Sequence, residues 1–159
     1  MPCQSSKHRG NKTNPAQQRI NQAVSEATLS RLLQMNFSDG AFQIVLTYEA
    51  GGYIPVGAYA AQDIKDWILA SRRFLGGTFQ YVRTMEQGRD GKPVTVHRVI
   101  TSCREWEAKA IAAKWKYGPA KVEPIETGQL PILAGLLKGN VKAEAGCHSW
   151  KASKGLIRS

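Results

Sequence analysis

An α+β fold, a central antiparallel sheet with helices packed on it, is what the amino-acid order predicts, and three observations predict it. Residues 78–86 and 94–101 are strand-like runs joined through Gly88-Arg89-Asp90-Gly91, so they should pair as a hairpin. Helical and strand periods interleave along the chain as helix, strand, helix, strand, strand, helix, strand, helix. No repeat or low-complexity tract interrupts that order.

Residues 1–13 are mostly polar, have no apolar period, and read as a disordered basic arm. Asn14 and Pro15 open the first helix as N-cap and first helical residue. Its expected apolar positions are Ile20, Ala23, Val24 and Ala27, then Leu29, Leu32 and Leu33, and it should end between Asn36 and Gly40. Residues 42–48 alternate as a strand, with Phe42, Ile44, Leu46 and Tyr48 on one face. Gly51, Gly52, Pro55 and Gly57 mark a loop. A helix over 61–75 buries Ile64, Trp67, Ile68, Phe74 and Leu75 and stops at Gly76-Gly77. The hairpin follows, then a helix over 104–116 carrying Trp106, Ile111 and Trp115. Residues 119–125 read as a short strand that its prolines confine to a sheet edge. Residues 130–138 read as a last short helix, and the segment from Gly139 on as irregular. The expected organisation is therefore a basic arm at 1–13, one folded domain at 14–138 and a basic C-terminal tail at 139–159.

Charge narrows the partners. The chain of 159 residues carries a formal net charge of +10, with Lys7, Arg9, Lys12, Arg19 and Arg31 against Glu26 at one end. At the other end stand Lys138, Lys142, Lys151, Lys154 and Arg158 against Glu144. Two basic ends on a near-neutral middle point to a polyanion such as nucleic acid; simple solubility is the plainer alternative. No apolar run reaches the roughly 18 residues of a membrane helix, so no membrane partner is expected. The polar start argues against a secretory signal. Cys3, Cys103 and Cys147 are scattered and form no CxxC pair, which indicates neither structural zinc nor a disulfide framework and fits a reducing cytoplasm.

Several segments, in order, resemble the rolling-circle replication-associated (Rep-like, HUH-type) proteins of bacterial mobile elements. The strand ending Leu46-Thr47-Tyr48 resembles that family's "LTLTY", and the helix Asp63 to Phe74 its Arg-rich second helix. Tyr81 to Gly88 resembles "YVxTEYG", and Trp115 to Pro124 resembles "WxxGxVxVxP". Ser149 to Leu156 resembles "RWSxSRxL". The resemblance implies an HUH-type antiparallel sheet with helices on one side. It also implies a metal held by two strand histidines and a third ligand, with a helix tyrosine attacking the scissile phosphate.

Much of that equipment is missing. The histidine pair aligns with Thr95 and His97, or after a one-residue shift with Val94 and Val96. Glu86 stands at the third-ligand position, so Glu86 and His97 are the candidate metal ligands, with Thr95 marginal; an ordinary strand histidine is the alternative for His97. Gly135 stands where the nucleophilic tyrosine belongs, while Lys138 is retained. No cofactor is expected beyond weakly held Mn²⁺ or Mg²⁺, and no catalytic residue is assigned.

Binding is the remaining expectation. Arg72, Arg73, Arg83, Arg98 and Arg104 near the sheet, with Lys138, Lys142, Lys151 and Lys154, are the candidate phosphate contacts. Trp150 either stacks on a base or plugs the sheet edge, while Trp67 and Trp115 sit on helical stripes and read as core. The expected function is a catalytically reduced Rep-like protein of a phage, plasmid or other mobile element that binds single-stranded or hairpin DNA or RNA. The alternatives are an anti-CRISPR or other counter-defence inhibitor of a host nucleoprotein complex, and an active nicking endonuclease with a rebuilt site.

Overall fold

A computed structural model describes residues 14–37, 40–49, 52, 58–76, 79–87, 95–130, 133–134, 150–154 and 156. Helix α1 (Pro15–Asn36) starts on Asn14, whose side-chain oxygen accepts from the Gln17 backbone N–H at 2.7 Å. It is followed by β1 (Ala41–Thr47), α2 (Ala58–Phe74), β2 (Tyr81–Gln87), β3 (Thr95–Ser102), α3 (Glu105–Ala112), β4 (Ala120–Ile125), a 3-10 turn (Thr127–Gln129) and β5 (Trp150–Ala152). Leu130, Leu133 and Ala134 are helical. The five strands form one sheet in the order β4-β1-β3-β2-β5, and all four pairings are antiparallel. The expected α+β class and the β2–β3 pairing are present, and β4 lies at an edge where Pro124 leaves no inner ladder position unfilled.

Helices cover both faces of this sheet, not one as the resemblance implied. On one face Leu29, Leu32, Leu33 and Phe37 of the α1 end pack with Val82, Ile100, Leu130, Trp150 and Leu156. On the other, Ile64, Trp67 and Ile68 of α2 and Ala108, Ile111 and Ala112 of α3 pack with Ile44, Leu46 and Val99. Strand alternation produces this division, because neighbours such as Val99 and Ile100 leave opposite faces and both are fully buried. Each core tryptophan satisfies its indole N–H: Trp67 donates to Ile111 O at 2.7 Å, Trp115 to Thr47 O at 2.7 Å, and Trp150 to Ser25 Oγ at 3.0 Å.

Four expectations change. The first half of α1 does not pack on the sheet, and Ile20 and Val24 stay 56% and 58% exposed. Phe74 continues the buried stripe of α2 but emerges from it, 43% exposed. Helix α3 ends at Ala112, where tighter i→i+3 bonds from Lys114 and Trp115 take over and Trp115 turns onto the end of β1. Residues 150–152 are a strand and not irregular tail, with Val82 opposite Ala152 and Thr84 opposite Trp150. The arm at 1–13, the turn at 88–91, and residues 135–149 lie outside the described residues.

Candidate functional site

At the end of the sheet where β1 stops and β3 begins, three buried polar side chains form a chain. Tyr48 follows β1, Asp63 sits on the buried stripe of α2, and His97 is on the central strand β3. The Tyr48 hydroxyl donates to Asp63 Oδ2 at 3.0 Å and lies 3.1 Å from His97 Nε2. Since the phenol proton goes to the carboxylate, His97 meets the same oxygen with an Nε2–H, which leaves Nδ1 as its lone-pair nitrogen. Nδ1 is buried and has no hydrogen-bond partner among the described residues. Burial, with the nearby Arg83 guanidinium adding to it, pushes His97 from 6.5 down to about 4, so the imidazole is neutral at physiological pH.

Aromatic rings wall this chain in. Trp115 lies 5.6 Å from the His97 ring and 5.3 Å from Tyr48, both edge-on, and Tyr117 lies 5.0 Å from Trp115. The wall is set by Gly118, where a Cβ would stand 2.6 Å from both Glu49 N and Thr47 O. Only glycine lets the 117–119 segment reach β1, where Glu49 N donates to Tyr117 O and Thr47 N to Pro119 O. An Asp–Tyr–His chain can pass a proton along three groups, but Asp63, Tyr48 and His97 are only 7%, 8% and 0% exposed.

The proposed metal pair is not assembled. Strand register sets Glu86 opposite Val96 and His97 opposite Met85, so the two side chains leave opposite faces of the sheet. Glu86 instead lies 3.8 Å from Arg98 Nε, an ion pair too long for a hydrogen bond. Thr95 does share the His97 face and is buried with it. No group of three or more metal-binding side chains forms among the described residues. Burial and the neighbouring Glu107 push the Cys103 thiol up to about 11, so it is poorly suited to act as a nucleophile.

The candidate phosphate contacts divide. Arg72, Arg73, Arg104 and Lys154 are exposed, and Lys151 is half-buried. Arg98 is held by Glu86. Arg83 is 5% exposed and turned into the fold beside His97, and Trp150 is 8% exposed in the core, so neither presents itself to a strand of nucleic acid. Of the two readings for Trp150, the edge plug is the one realised. Lys138 and Lys142, like Gly135, lie outside the described residues.

Sequence reasoning missed Tyr48 and Asp63 as partners of His97. A signal existed: an aspartate on the apolar stripe of α2 and a phenol on the apolar face of β1 both need buried partners. It also missed the exposed pair Phe74 and Trp106, whose rings meet edge to face at 6.3 Å. No family model, curated protein or solved structure matches this chain.

Proposed function

We propose that this chain is a nucleic-acid-binding protein of a phage, plasmid or other mobile element, built on a Rep-like, HUH-type scaffold that has lost its nuclease chemistry. The observation that carries the binding reading is surface charge. Among the described residues eleven lysines and arginines are exposed, against four acids: Glu49, Asp66, Glu105 and Glu126. Arg72 and Arg73 lie in the last turn of α2 and Lys114 just past the end of α3, where the helix dipoles alone would favour them, but dipole complementarity does not account for Arg104 at the N-cap of α3 or for Lys121 on β4. Such a surface binds phosphates by releasing their counterions. The scaffold reading is supported by the ordered motifs and by an antiparallel sheet with His97 on its central strand. The loss of chemistry is supported by Glu86 and His97 facing opposite ways and by Tyr48 engaging His97 Nε2.

Fluorescence anisotropy of a labelled single-stranded oligonucleotide tests this. If about six phosphates are neutralised, affinity should fall roughly a thousandfold between about 50 and 200 mM salt. No binding at the low-salt end, or binding indifferent to salt, would refute it. Recovery of one large host nucleoprotein complex from lysate, with no binding of free oligonucleotide, would favour a counter-defence inhibitor instead.

A further inference from the structure

We propose that Phe74 and Trp106, where the end of α2 meets the start of α3, form a stacking platform for the unpaired bases of a single-stranded nucleic acid. This rests on the nucleic-acid reading above and adds to it the site and the strandedness.

Both rings are large, apolar and in water. Phe74 is 43% exposed and Trp106 58%, while Trp67, Trp115 and Trp150 are at 3%, 5% and 8%. Leu75, the next residue, is the one that packs, partly buried, against the core on the α2–α3 side, and Phe74 is left outside. The two rings support each other edge to face at 79°, which holds them in place without covering them.

Charge decides the occupant. Arg72 and Arg73 immediately precede Phe74, Arg104 stands two residues before Trp106, and Lys114 Nζ sits 4.9 Å above the Phe74 ring. The local acids are engaged: Glu105 pairs with Lys109 at 3.3 Å, and Glu107 accepts from the Arg104 backbone N–H at 2.9 Å. Rings interleaved with cations match a strand whose bases and phosphates alternate. Lys114 can exchange the ring for a phosphate as a base takes its place. A duplex offers no free base faces, so this surface should prefer single strands. Among the described residues, Ile20 and Val24 on α1 are also exposed but bring no aromatic ring, and Tyr59 and Leu69 on α2 are exposed without a ring contact like that of Phe74 with Trp106 to mark a platform.

The full chain titrated with unlabelled oligothymidylate provides the test: of its four tryptophans Trp106 alone is exposed, so quenching of the emission by a stacked base reports on Trp106. Emission should be quenched on binding, and the quenching should vanish in Trp106→Leu. Trp106→Ala and Phe74→Ala should each weaken anisotropy-measured binding about tenfold with the salt slope unchanged, because no phosphate contact is lost. Arg72→Ala with Arg73→Ala should instead flatten that slope. Binding without quenching, unchanged affinity in both alanine variants, or equal affinity for a duplex would overturn the platform and leave the binding reading standing. Absence of any oligonucleotide binding would remove both. A dimer in sedimentation that dissociates in Trp106→Ala would assign the pair to a second copy of the chain and overturn the proposal.

Discussion

His97 is uncharged inside the fold, and acid must eventually charge it. Its native value near 4 lies below the ordinary 6.5, so the unfolded chain binds the proton first as pH falls. Stability from this group is complete above about pH 6.5, drains away between about 6.5 and 4, and levels off below, a loss of roughly 3 kcal/mol. His97→Gln keeps an N–H for Tyr48 and removes the titration. Its urea midpoint should therefore change less with pH than the wild type's across that window; parallel curves would show that His97 is not the group responsible. The face that His97 uses was legible in the alternation of β3, but which face Glu86 uses was not. A shift of one residue in pairing moves a whole strand's side chains to the other side, and nothing in the hairpin's sequence settles that register. Phe74 was misread for a related reason: helical period marks a stripe, not where the sheet beneath it ends.

Strand β5 is three residues long, yet it closes the sheet beside β2. Trp150 and Leu156 enter the α1-side core, and Ser153 both donates its backbone N–H to Tyr81 O and accepts from Tyr81 N at 2.9 Å. Ending the chain after residue 149 should therefore lower the thermal midpoint by roughly 10 °C or more, as expected when a buried tryptophan and its neighbours are lost. An unchanged midpoint would mean that the edge strand contributes little. The longer elements were readable because their periods run over many residues. Strand β5 was not, because three residues in a basic, irregular stretch show no period, and their pairing with β2 spans some 70 positions of sequence. Gly118 makes a second test at this scale. Gly118→Ala would push a methyl against backbone that cannot yield, and should cost about 2–3 kcal/mol while releasing the Trp115–Tyr117 wall. Near-UV circular dichroism should lose intensity in step with stability.

At the scale of the whole molecule, most cations of the described residues are on the surface, whereas the chain Asp63–Tyr48–His97, with Arg83 beside it, is sealed inside. A phosphodiester bound to the basic surface does not thereby reach the phenol. Wild-type protein incubated with single-stranded DNA and Mn²⁺ or Mg²⁺ should accordingly give neither nicking nor an SDS-resistant adduct. Rebuilding one part should not restore the reaction, because metal and nucleophile act as a unit. Thr95→His would set a second imidazole on the His97 face, but Glu86 would remain on the far side of the sheet and Tyr48 would still hold Nε2. That variant should tighten Mn²⁺ binding at most, measurable by calorimetry, and stay inert toward DNA. The decisive contrary result would be an adduct from the wild-type chain that disappears in Tyr48→Phe. Tyr48 is the phenol hydrogen-bonded to the imidazole, whereas the Tyr117 ring lies one place further out, tilted against the Tyr48 ring at 5.9 Å. Such an adduct would require the aromatic wall to open on binding, and would make this an active nicking enzyme built around a different tyrosine from the one its motifs led us to seek.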